Sequence, residues 1–263
     1  MGAEEHRAKN GDHSKYKTIC ESEAKRWGVS PEIHPDDFIF HFLFNNPSFQ
    51  SKEKAIEYYF SDGFSSAEKL QNILKDICGF DGGGEINLLE FASGYGCVTR
   101  HIKNVMPFSV TIACDIHPQA VQFIEESLGT EAVLSASRPE DLFPYQEFDV
   151  VFALSFFSHM PKNTFSRWLR KLASFVKSGG YFIFTTHGLE SRKYFPDCQF
   201  DKDGFYFQQS TEQKDIDIKE YGLTCTLPKY VLARIFDDPN FVLKYFHEGY
   251  WWKHQDVFII KRL

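Results

Sequence analysis

Two features of the sequence predict an α/β fold with a mostly parallel sheet. From residue 85 onward, short segments rich in β-branched and aromatic residues alternate with segments of helical periodicity. Glycine or proline stands at many of the junctions between them. This alternation is typical of βαβ units, whose strands are parallel and covered by helices on both faces. The 263 residues suffice for one such domain with an accessory segment.

Residues 1–84 predict a mainly helical N-terminal segment or cap. Apolar residues fill both faces of the run from Phe38 to Phe44, so its period does not decide between strand and helix, and we favour helix. Ser65 and Glu68 have the spacing of a capping box and predict the start of a helix that Gly79 ends. The glycines at 82–84 then separate this segment from the domain at 85–263.

Seven strands are predicted in the segment 85–263. The first five are expected at 86–91, 110–115, 132–134, 148–154 and 181–186. The helices between them begin near Cys97, at Pro118 and near Phe165, and the last of these is expected to run until Gly179. Residues 189–222 are polar and too long for an ordinary connection, so we expect an insertion there. A helix from Leu227 to Phe236 precedes two closely linked strands, 241–246 and 256–261, which predict an antiparallel pair.

The composition excludes several classes of protein. With 29 Lys and Arg against 36 Asp and Glu, the net charge is −7, which argues against a protein that binds nucleic-acid phosphates. No apolar stretch approaches the roughly 18 residues of a membrane helix, so no membrane partner is expected. The six cysteines form no C-x-x-C pair, and no metal centre is expected. Because residues 1–6 lack the apolar stretch of a secretory signal, we expect a cytoplasmic protein.

A candidate ligand site lies in the turn after the first predicted strand. Gly94 and Gly96 allow backbone angles and close approaches that a side chain would block. Asp115, about 20 residues further on at the tip of the second strand, could bind both hydroxyls of a ribose. Thr99 occupies the third glycine position of G-x-G-x-x-G, which argues against a dinucleotide. An acidic Glu90 suits instead a ligand that carries positive charge, such as S-adenosylmethionine, which has an α-amino group, a sulfonium and no phosphate.

At this turn the sequence resembles the class I S-adenosylmethionine-dependent methyltransferases. Their E/D-x-G-x-G-x-G motif is matched by Glu90, Ala92, Gly94 and Gly96, with alanine at the first glycine position. The resemblance continues after the second, third and fourth strands, in residues 113–117, 137–142 and 155–161, and in the two late strands. It implies a Rossmann-like, seven-stranded, mostly parallel sheet whose last strand is antiparallel, with helices on both faces.

The resemblance also implies a role for each residue of the site. Glu90 would hold the methionyl amino group, directly or through water, and the backbone at Ala92, Gly94 and Gly96 would approach the methionyl part. Asp115 would bind the ribose, with Ile116 against the adenine ring. The remaining positions are Ser137 and Arg138 at the adenine edge, and Ser155 and Phe156 on the methionyl side. Arg138 departs from the family pattern, which has an acidic residue near this position, because a guanidinium accepts no hydrogen bond.

The catalytic candidates are two histidines at the ends of the fourth and fifth strands, His159 and His187. Each could act as a base or contact the acceptor, or could simply pack or hydrogen-bond in its loop. His254 at the start of the last strand is interpreted as structural, although Trp251 and Trp252 beside it could wall a pocket. Tyr194 and residues 201–207 could form a lid, or an ordinary solvated insertion.

Together these features predict a methyltransferase that converts S-adenosyl-L-methionine to S-adenosyl-L-homocysteine by in-line transfer to a small-molecule acceptor. Residues 155–158 lack the D/N-P-P-Y/F tetrapeptide of amino-methylating DNA enzymes, which again disfavours a nucleic-acid substrate. Two alternatives remain: a non-catalytic, cofactor-binding regulatory protein of the same fold, and an NAD-dependent oxidoreductase.

Overall fold

The computed structural model describes residues 16–142, 146–210 and 219–263, and it is built around one sheet. Within these ranges the sheet has nine strands: β1 Ile86–Phe91, β2 Ser109–Asp115, β3 Glu131–Leu134, β4 Phe148–Ala153, β5 Val176–His187, β6 Phe205–Gln208, β7 Leu223–Thr226, β8 Phe241–Trp251 and β9 Gln255–Arg262.

The sheet confirms the predicted fold class and adds two strands to it. Strands β3, β2, β1, β4 and β5 are parallel in that spatial order, and β9 pairs antiparallel with β5 and β8. The unpredicted strands β6 and β7 form an antiparallel pair that joins the end of β5 where His187 meets Cys225. Both have only four residues, and β6 lies inside the polar insertion, so neither shows a long apolar pattern in the sequence.

The strand order makes the end of β1 the switch point of the sheet. From β1 the chain passes to β2 on one side, whereas β4 pairs with the other side of β1. In open α/β sheets, ligands bind at such a switch point, outside the carboxyl ends of the strands. The sequence motifs after β1, β2 and β4 therefore all lie at one edge of the sheet.

Seven α-helices lie within the described ranges, and they cover both faces of the sheet. They are α1 Lys17–Trp27, α2 Phe38–Asn45, α3 Lys52–Ile73, α4 Thr99–Val105, α5 Pro118–Phe123, α6 Lys162–Ala173 and α7 Pro228–Phe236. Apolar residues of α3 and α4, such as Leu70 and Ile102, pack with Ile183 on one face. On the other face Trp168 of α6 and Tyr230 of α7 belong to the core that contains Phe184. No helix in the described ranges combines the length and apolarity needed to cross a bilayer.

Two helix boundaries differ from the sequence prediction. Helix α3 begins at Lys52, where the Ser51 hydroxyl accepts a hydrogen bond from the Lys54 backbone N–H, so Ser65 and Glu68 lie in mid-helix. A cap at Ser65 is wrong because Ser51 already provides one and nothing ends the helix between them. Helix α6 ends at Ala173, and the glycine at position 179 lies inside β5 rather than at the end of a helix.

The N-terminal helices form their own apolar cluster. Residues 38–45 are helical, as predicted, and Asp37 caps this helix by accepting from the Phe40 backbone N–H at 2.9 Å. Phe40 and Phe44 are buried against α1 and α3, whereas Phe42 is half exposed. The phenylalanine run therefore packs mainly within the N-terminal cluster.

Arg100 links this cluster to the sheet. Its guanidinium donates from Nε to the Gly96 carbonyl at 3.1 Å, and from Nη1 to the carbonyls of Ser30 at 3.0 Å and Glu32 at 3.2 Å. Nη2 donates to the Tyr59 hydroxyl at 3.2 Å. One buried side chain thus joins the turn after β1 to the segment between α1 and α2.

Candidate active site

The turn after β1 is held in an unusual backbone conformation. Ala92, Gly94 and Gly96 have φ values of 60°, 56° and 79°. Because the left-handed region disfavours a Cβ, Ala92 is strained where the family pattern has glycine. A Cβ on Gly96 would lie 2.4 Å from Leu128 Cδ1, so the Leu128 side chain would have to move to admit one. A Cβ on Gly94 would meet nothing within 4 Å, which means that the backbone there faces open space.

Asp115 at the end of β2 fixes the position of this turn. Its Oδ2 accepts from the Gly94 backbone N–H at 2.8 Å, and its Oδ1 accepts from the His117 backbone N–H at 3.0 Å. The residue is only 6% exposed. His117 Nδ1 also lies 3.0 Å from Oδ1, so the acceptor sites that remain for ligand hydroxyls are mainly on Oδ2.

Glu90, the second acidic residue of the turn, is nearly completely buried, with 4% exposure. Burial raises the pKa of the Glu90 carboxyl to about 7; a hydrogen bond from Thr99 opposes the rise and the charge of Asp115 adds to it. The Thr99 hydroxyl donates to Glu90 Oε2 at 2.7 Å, from the position where a dinucleotide-binding protein has its third glycine. A cation beside Glu90 would stabilise its ionised form.

The residues predicted at the adenine edge lie at the surface. Ile116 is half-buried, whereas Ser137 and Arg138 are exposed. Arg138 forms a two-point contact with Asp141, from Nε at 2.9 Å and from Nη2 at 3.0 Å. Its guanidinium is thus directed to a carboxylate of its own loop, and the acceptor for a ligand amino group stays predicted as Ser137 or a backbone carbonyl.

At the end of β4, Ser155 belongs to a hydrogen-bond network that the sequence did not reveal. Its backbone N–H donates to Thr185 Oγ1 at 2.8 Å, and the Thr185 hydroxyl donates to Gln255 Oε1 at 2.7 Å. Gln255 Nε2 donates to Ser155 Oγ at 2.8 Å and lies 3.2 Å from His187 Nε2. Only the antiparallel register of β5 and β9, which pairs His187 with Gln255, brings these groups together.

Phe156 follows Ser155 and packs away from this network. Its ring meets Phe91 edge-on at a centroid distance of 4.9 Å and lies 5.4 Å from the ring of Trp168. It is half-buried and connects the end of β4 to α6.

Both predicted catalytic histidines lie at this edge of the sheet, and His254 lies beside them. The ring centroids of His159 and His187 are 6.3 Å apart, and those of His187 and His254 are 5.5 Å apart. Burial lowers the pKa of His159 to about 4. Burial also lowers the pKa of His187, and the other two histidines add to this effect. At neutral pH these two imidazoles are therefore uncharged.

The two histidines differ in which ring nitrogen is engaged. His159 Nδ1 lies 2.9 Å from the Gly222 carbonyl, and a carbonyl can only accept, so Nδ1 carries the proton and Nε2 keeps its lone pair. The His159 ring also stacks on Tyr221 at 4.5 Å. In contrast, the lone pair of His187 Nε2 accepts from the Gln255 amide. His159 is therefore the freer base of the two.

A second wall of the site comes from α3 and the turn between β8 and β9. Trp252 Nε1 donates to Asp62 Oδ1 at 2.7 Å, and the Tyr58 hydroxyl also donates to this carboxylate. Trp251 is completely buried and donates from Nε1 to Ser66 Oγ at 3.0 Å, so it belongs to the core rather than to a pocket wall. Tyr58 and Asp62 are functional candidates that no sequence motif indicated.

Comparisons with known proteins show what this arrangement is similar to. Residues 89–182 match a protein-family model described as a methyltransferase domain. This segment begins in β1 and ends in β5, so it contains the glycine turn, Asp115 and the end of β4. Residues 89–182 are thus similar to a methyltransferase domain, and the chain has the Rossmann-like fold of class I S-adenosylmethionine-dependent methyltransferases.

Three solved structures illustrate the likeness of fold. An S-adenosylmethionine-dependent methyltransferase from Clostridium acetobutylicum is 14% identical, with a TM-score of 0.52, over 77% of this chain and 92% of that chain. The glycopeptide N-methyltransferase MtfA is 12% identical, with a TM-score of 0.55, over 76% and 90% of the two chains. The plantazolicin methyltransferase BpumL, solved in complex with SAH, is 13% identical, with a TM-score of 0.55, over 94% and 98%. No curated protein sequence matches the chain.

Proposed function

We propose that this protein is an S-adenosylmethionine-dependent methyltransferase that acts on a small molecule. The observation that carries the proposal is the pair of buried carboxyl groups at the ends of β1 and β2, those of Glu90 and Asp115, with Asp115 holding the open backbone at Gly94. A ligand with a cationic amino group and a ribose diol, but no phosphate, complements this arrangement. S-adenosylmethionine has these groups.

The chain's own residues would bind and orient this cofactor. Glu90 would pair with the amino group, the Ala92–Gly96 backbone would approach the methionyl part, and Asp115 would accept from the ribose hydroxyls. Ile116 would cover the adenine, with Ser137 and Arg138 near its edge, and Ser155 and Phe156 would border the methionyl chain. When bound, the cofactor supplies a methyl group activated by the sulfonium. Orientation of the acceptor in line with that group is then the main task of the protein.

A base is needed only for an acceptor that must lose a proton. His159 is the candidate that the geometry favours, because its Nδ1 proton faces Gly222 and its Nε2 lone pair stays open. His187, whose Nε2 accepts from Gln255, fits better as a contact that orients the acceptor or Ser155.

The net charge of the chain and the acceptors of its structural neighbours favour a small-molecule acceptor. A net charge of −7 opposes nucleic-acid binding. The structural neighbours include a glycopeptide N-methyltransferase and a plantazolicin methyltransferase, so this fold serves acceptors well below the size of a nucleic acid or a folded protein.

Calorimetric titration with S-adenosylmethionine, S-adenosylhomocysteine and NAD tests the proposal. We expect binding of the first two ligands and none of NAD, because Thr99 and Glu90 oppose a pyrophosphate. Binding of NAD without binding of either sulfur ligand would contradict the proposal and favour an oxidoreductase. Binding without transfer to any acceptor in a broad screen would favour a non-catalytic, cofactor-binding protein.

Asp115→Ala is expected to weaken the binding of S-adenosylhomocysteine by about 10- to 100-fold, since a charge-assisted contact is worth about 1–3 kcal/mol. The loss has two sources: the ribose contact disappears, and the Gly94 turn loses its acceptor. Calorimetry at neutral pH measures the effect. The matched control is Asp237→Ala at the exposed end of α7, which should bind like the wild type. Equal affinities of the wild type and Asp115→Ala would show that the cofactor lies elsewhere.

A further inference from the structure

We propose that Asp62, together with the rings of Tyr58 and Trp252, forms a subsite for a cationic amine, so that the methyl group is transferred to nitrogen. This inference rests on the proposed methyltransferase function and names the class of its acceptor. Its evidence lies in three observations: the place of Asp62 beside the glycine turn, the lack of a direct ion-pair partner, and the aromatic side chains around it.

The first observation is that α3 touches the glycine turn next to Asp62. A Cβ on Gly63 would lie only 2.2 Å from the Cys97 carbonyl oxygen, so helix and turn are in direct contact there. Asp62 directly precedes Gly63, and the negative charge of Asp62 helps to raise the pKa of the Cys97 thiol, after the larger effect of burial. Asp62 therefore lies at the side of the turn whose other residues, Glu90 and Gly94, are proposed to hold the cofactor.

The second observation is that the Asp62 carboxylate is bonded by neutral groups. Its two donors are the Trp252 indole at 2.7 Å and the Tyr58 hydroxyl. Across the described ranges, none of the ion pairs includes Asp62. The charge of Lys69 lowers the pKa of Asp62 without a direct contact, and its ammonium donates to the Tyr250 carbonyl.

A carboxylate in this setting favours a cationic ligand. Burial raises the pKa of Asp62, which shows that its charged form is poorly solvated. A ligand cation would supply the missing countercharge, while the two neutral donors keep the carboxylate in place. A neutral acceptor would gain no comparable interaction.

The third observation is that aromatic rings continue from Asp62 along the edge of the sheet. Tyr58 is 37% exposed and Tyr194 is 61% exposed, so both rings are open to a ligand. Tyr194 and Trp252 lie 4.9 Å and 6.1 Å from the ring of His254. The faces of tyrosine and tryptophan rings attract ammonium groups, including quaternary ones. Because burial also lowers the pKa of His254, no positive charge on this histidine repels such a ligand near neutral pH.

The chemistry of transfer to an amine balances without a further reactant. The ammonium bound at Asp62 first loses a proton to water. The free amine nitrogen then gives its lone pair to the methyl carbon, and the carbon–sulfur bond breaks with its electron pair left on sulfur. The sulfonium becomes a neutral thioether, and the positive charge moves to the methylated nitrogen. A proton on that nitrogen then leaves to water. Asp62 binds the cationic form of the amine and stabilises the charge that appears on nitrogen.

The test measures binding of cations and of a neutral isostere to the protein saturated with S-adenosylhomocysteine. The probes are benzyltrimethylammonium, 2-phenylethylamine and 2-phenylethanol, and their binding is followed by calorimetry and by the tryptophan fluorescence of the protein. We expect the wild type to bind both cations more tightly than the alcohol. Asp62→Asn should bind the cations about tenfold more weakly, because the countercharge is lost, and should bind S-adenosylhomocysteine as the wild type does. Asp76→Asn, an exposed change just beyond α3, serves as the matched control.

Three results would overturn the subsite. They are equal binding of the cations to wild type and Asp62→Asn, equal binding of amine and alcohol to the wild type, and no binding of either cation to the wild type. If Asp62→Asn fails to fold, Tyr58→Leu is the second variant, because it removes a partly exposed ring. It should weaken cation binding about threefold, since an exposed cation–π contact contributes about 0.5–1 kcal/mol. Unchanged cation affinity in Tyr58→Leu would also overturn the subsite. A separate titration of each ligand-free variant measures S-adenosylhomocysteine binding, so failure of the cofactor site and failure of the amine subsite give different results.

Discussion

Arg100→Met is expected to lower the free energy of unfolding by about 3–5 kcal/mol, because it leaves several buried acceptors without their donor. The carbonyls of Ser30 and Glu32 and the Tyr59 hydroxyl would all lose a guanidinium hydrogen bond. Tyr59 in turn donates to Asp37 at 2.6 Å, so the cap of α2 would also be weakened. Denaturant unfolding followed by circular dichroism measures the change.

The same variant should also affect the site. Since Arg100 Nε donates to the Gly96 carbonyl, its loss removes one support of the glycine turn. Arg170→Met on the exposed side of α6 is the matched control and should change stability by less than about 0.5 kcal/mol. The free energy of unfolding of Arg100→Lys should lie between those of Arg100→Met and Arg170→Met, because an ammonium cannot reproduce the planar set of donors. A stability of Arg100→Met close to that of the wild type would show that the N-terminal cluster does not depend on this link.

Much of the sheet could be predicted from the sequence because its strands are buried on both faces. Strands such as β4 and β5 therefore appear as continuous apolar runs, and the glycine turn after β1 marks the switch point directly. The antiparallel pairing of β8 and β9 followed from the short link between them. Each of these features depends on residues that are close together in the sequence, so the local sequence pattern predicts it.

The parts that the sequence did not predict depend on residues far apart in the chain. Thr185 and Gln255 meet through strand register, and Asp62 and Trp252 meet because α3 packs beside the β8–β9 turn. Each of these residues has an ordinary local context, so no spacing marks it. The start of α3 at Lys52 was missed for another reason: two serines could each cap a helix, and only the fold decides between them.

The two sides of the proposed site are joined through the contacts of α3 and Arg100. Gly63 of α3 touches Cys97 in the glycine turn. Arg100, which binds the N-terminal segment, contacts Gly96 in the same turn. These contacts thus join residues on both sides of the domain boundary predicted at residue 84, and they also support the glycine turn. We propose that the N-terminal segment contributes Tyr58 and Asp62 to the acceptor side, next to Trp252 of the segment 85–263, which also holds the cofactor.

Glu90→Gln is expected to stabilise the ligand-free protein at pH 8 and, at the same time, to weaken cofactor binding. The Glu90 pKa is about 7 in the folded protein against an ordinary value of 4.5. A raised pKa means that the contribution of this group to stability is complete below pH 4.5, is lost as the pH rises through 7, and stays lost above it. The difference corresponds to about 3 kcal/mol, which the uncharged glutamine avoids while its carbonyl still accepts from Thr99.

Urea unfolding between pH 5 and pH 8, with and without S-adenosylmethionine, measures both effects. The wild type should lose stability relative to Glu90→Gln across this interval, and its affinity for the cationic ligand should rise with pH through 7 as Glu90 ionises. The variant should show neither change and should bind about tenfold more weakly at pH 8, because the charge-assisted contact is gone. Glu131→Gln at the exposed start of β3 is the matched control and should follow the wild type in both measurements. If Glu90→Gln also behaves like the wild type in both measurements, Glu90 is neither the buried acid nor the amino-group partner that the geometry indicates.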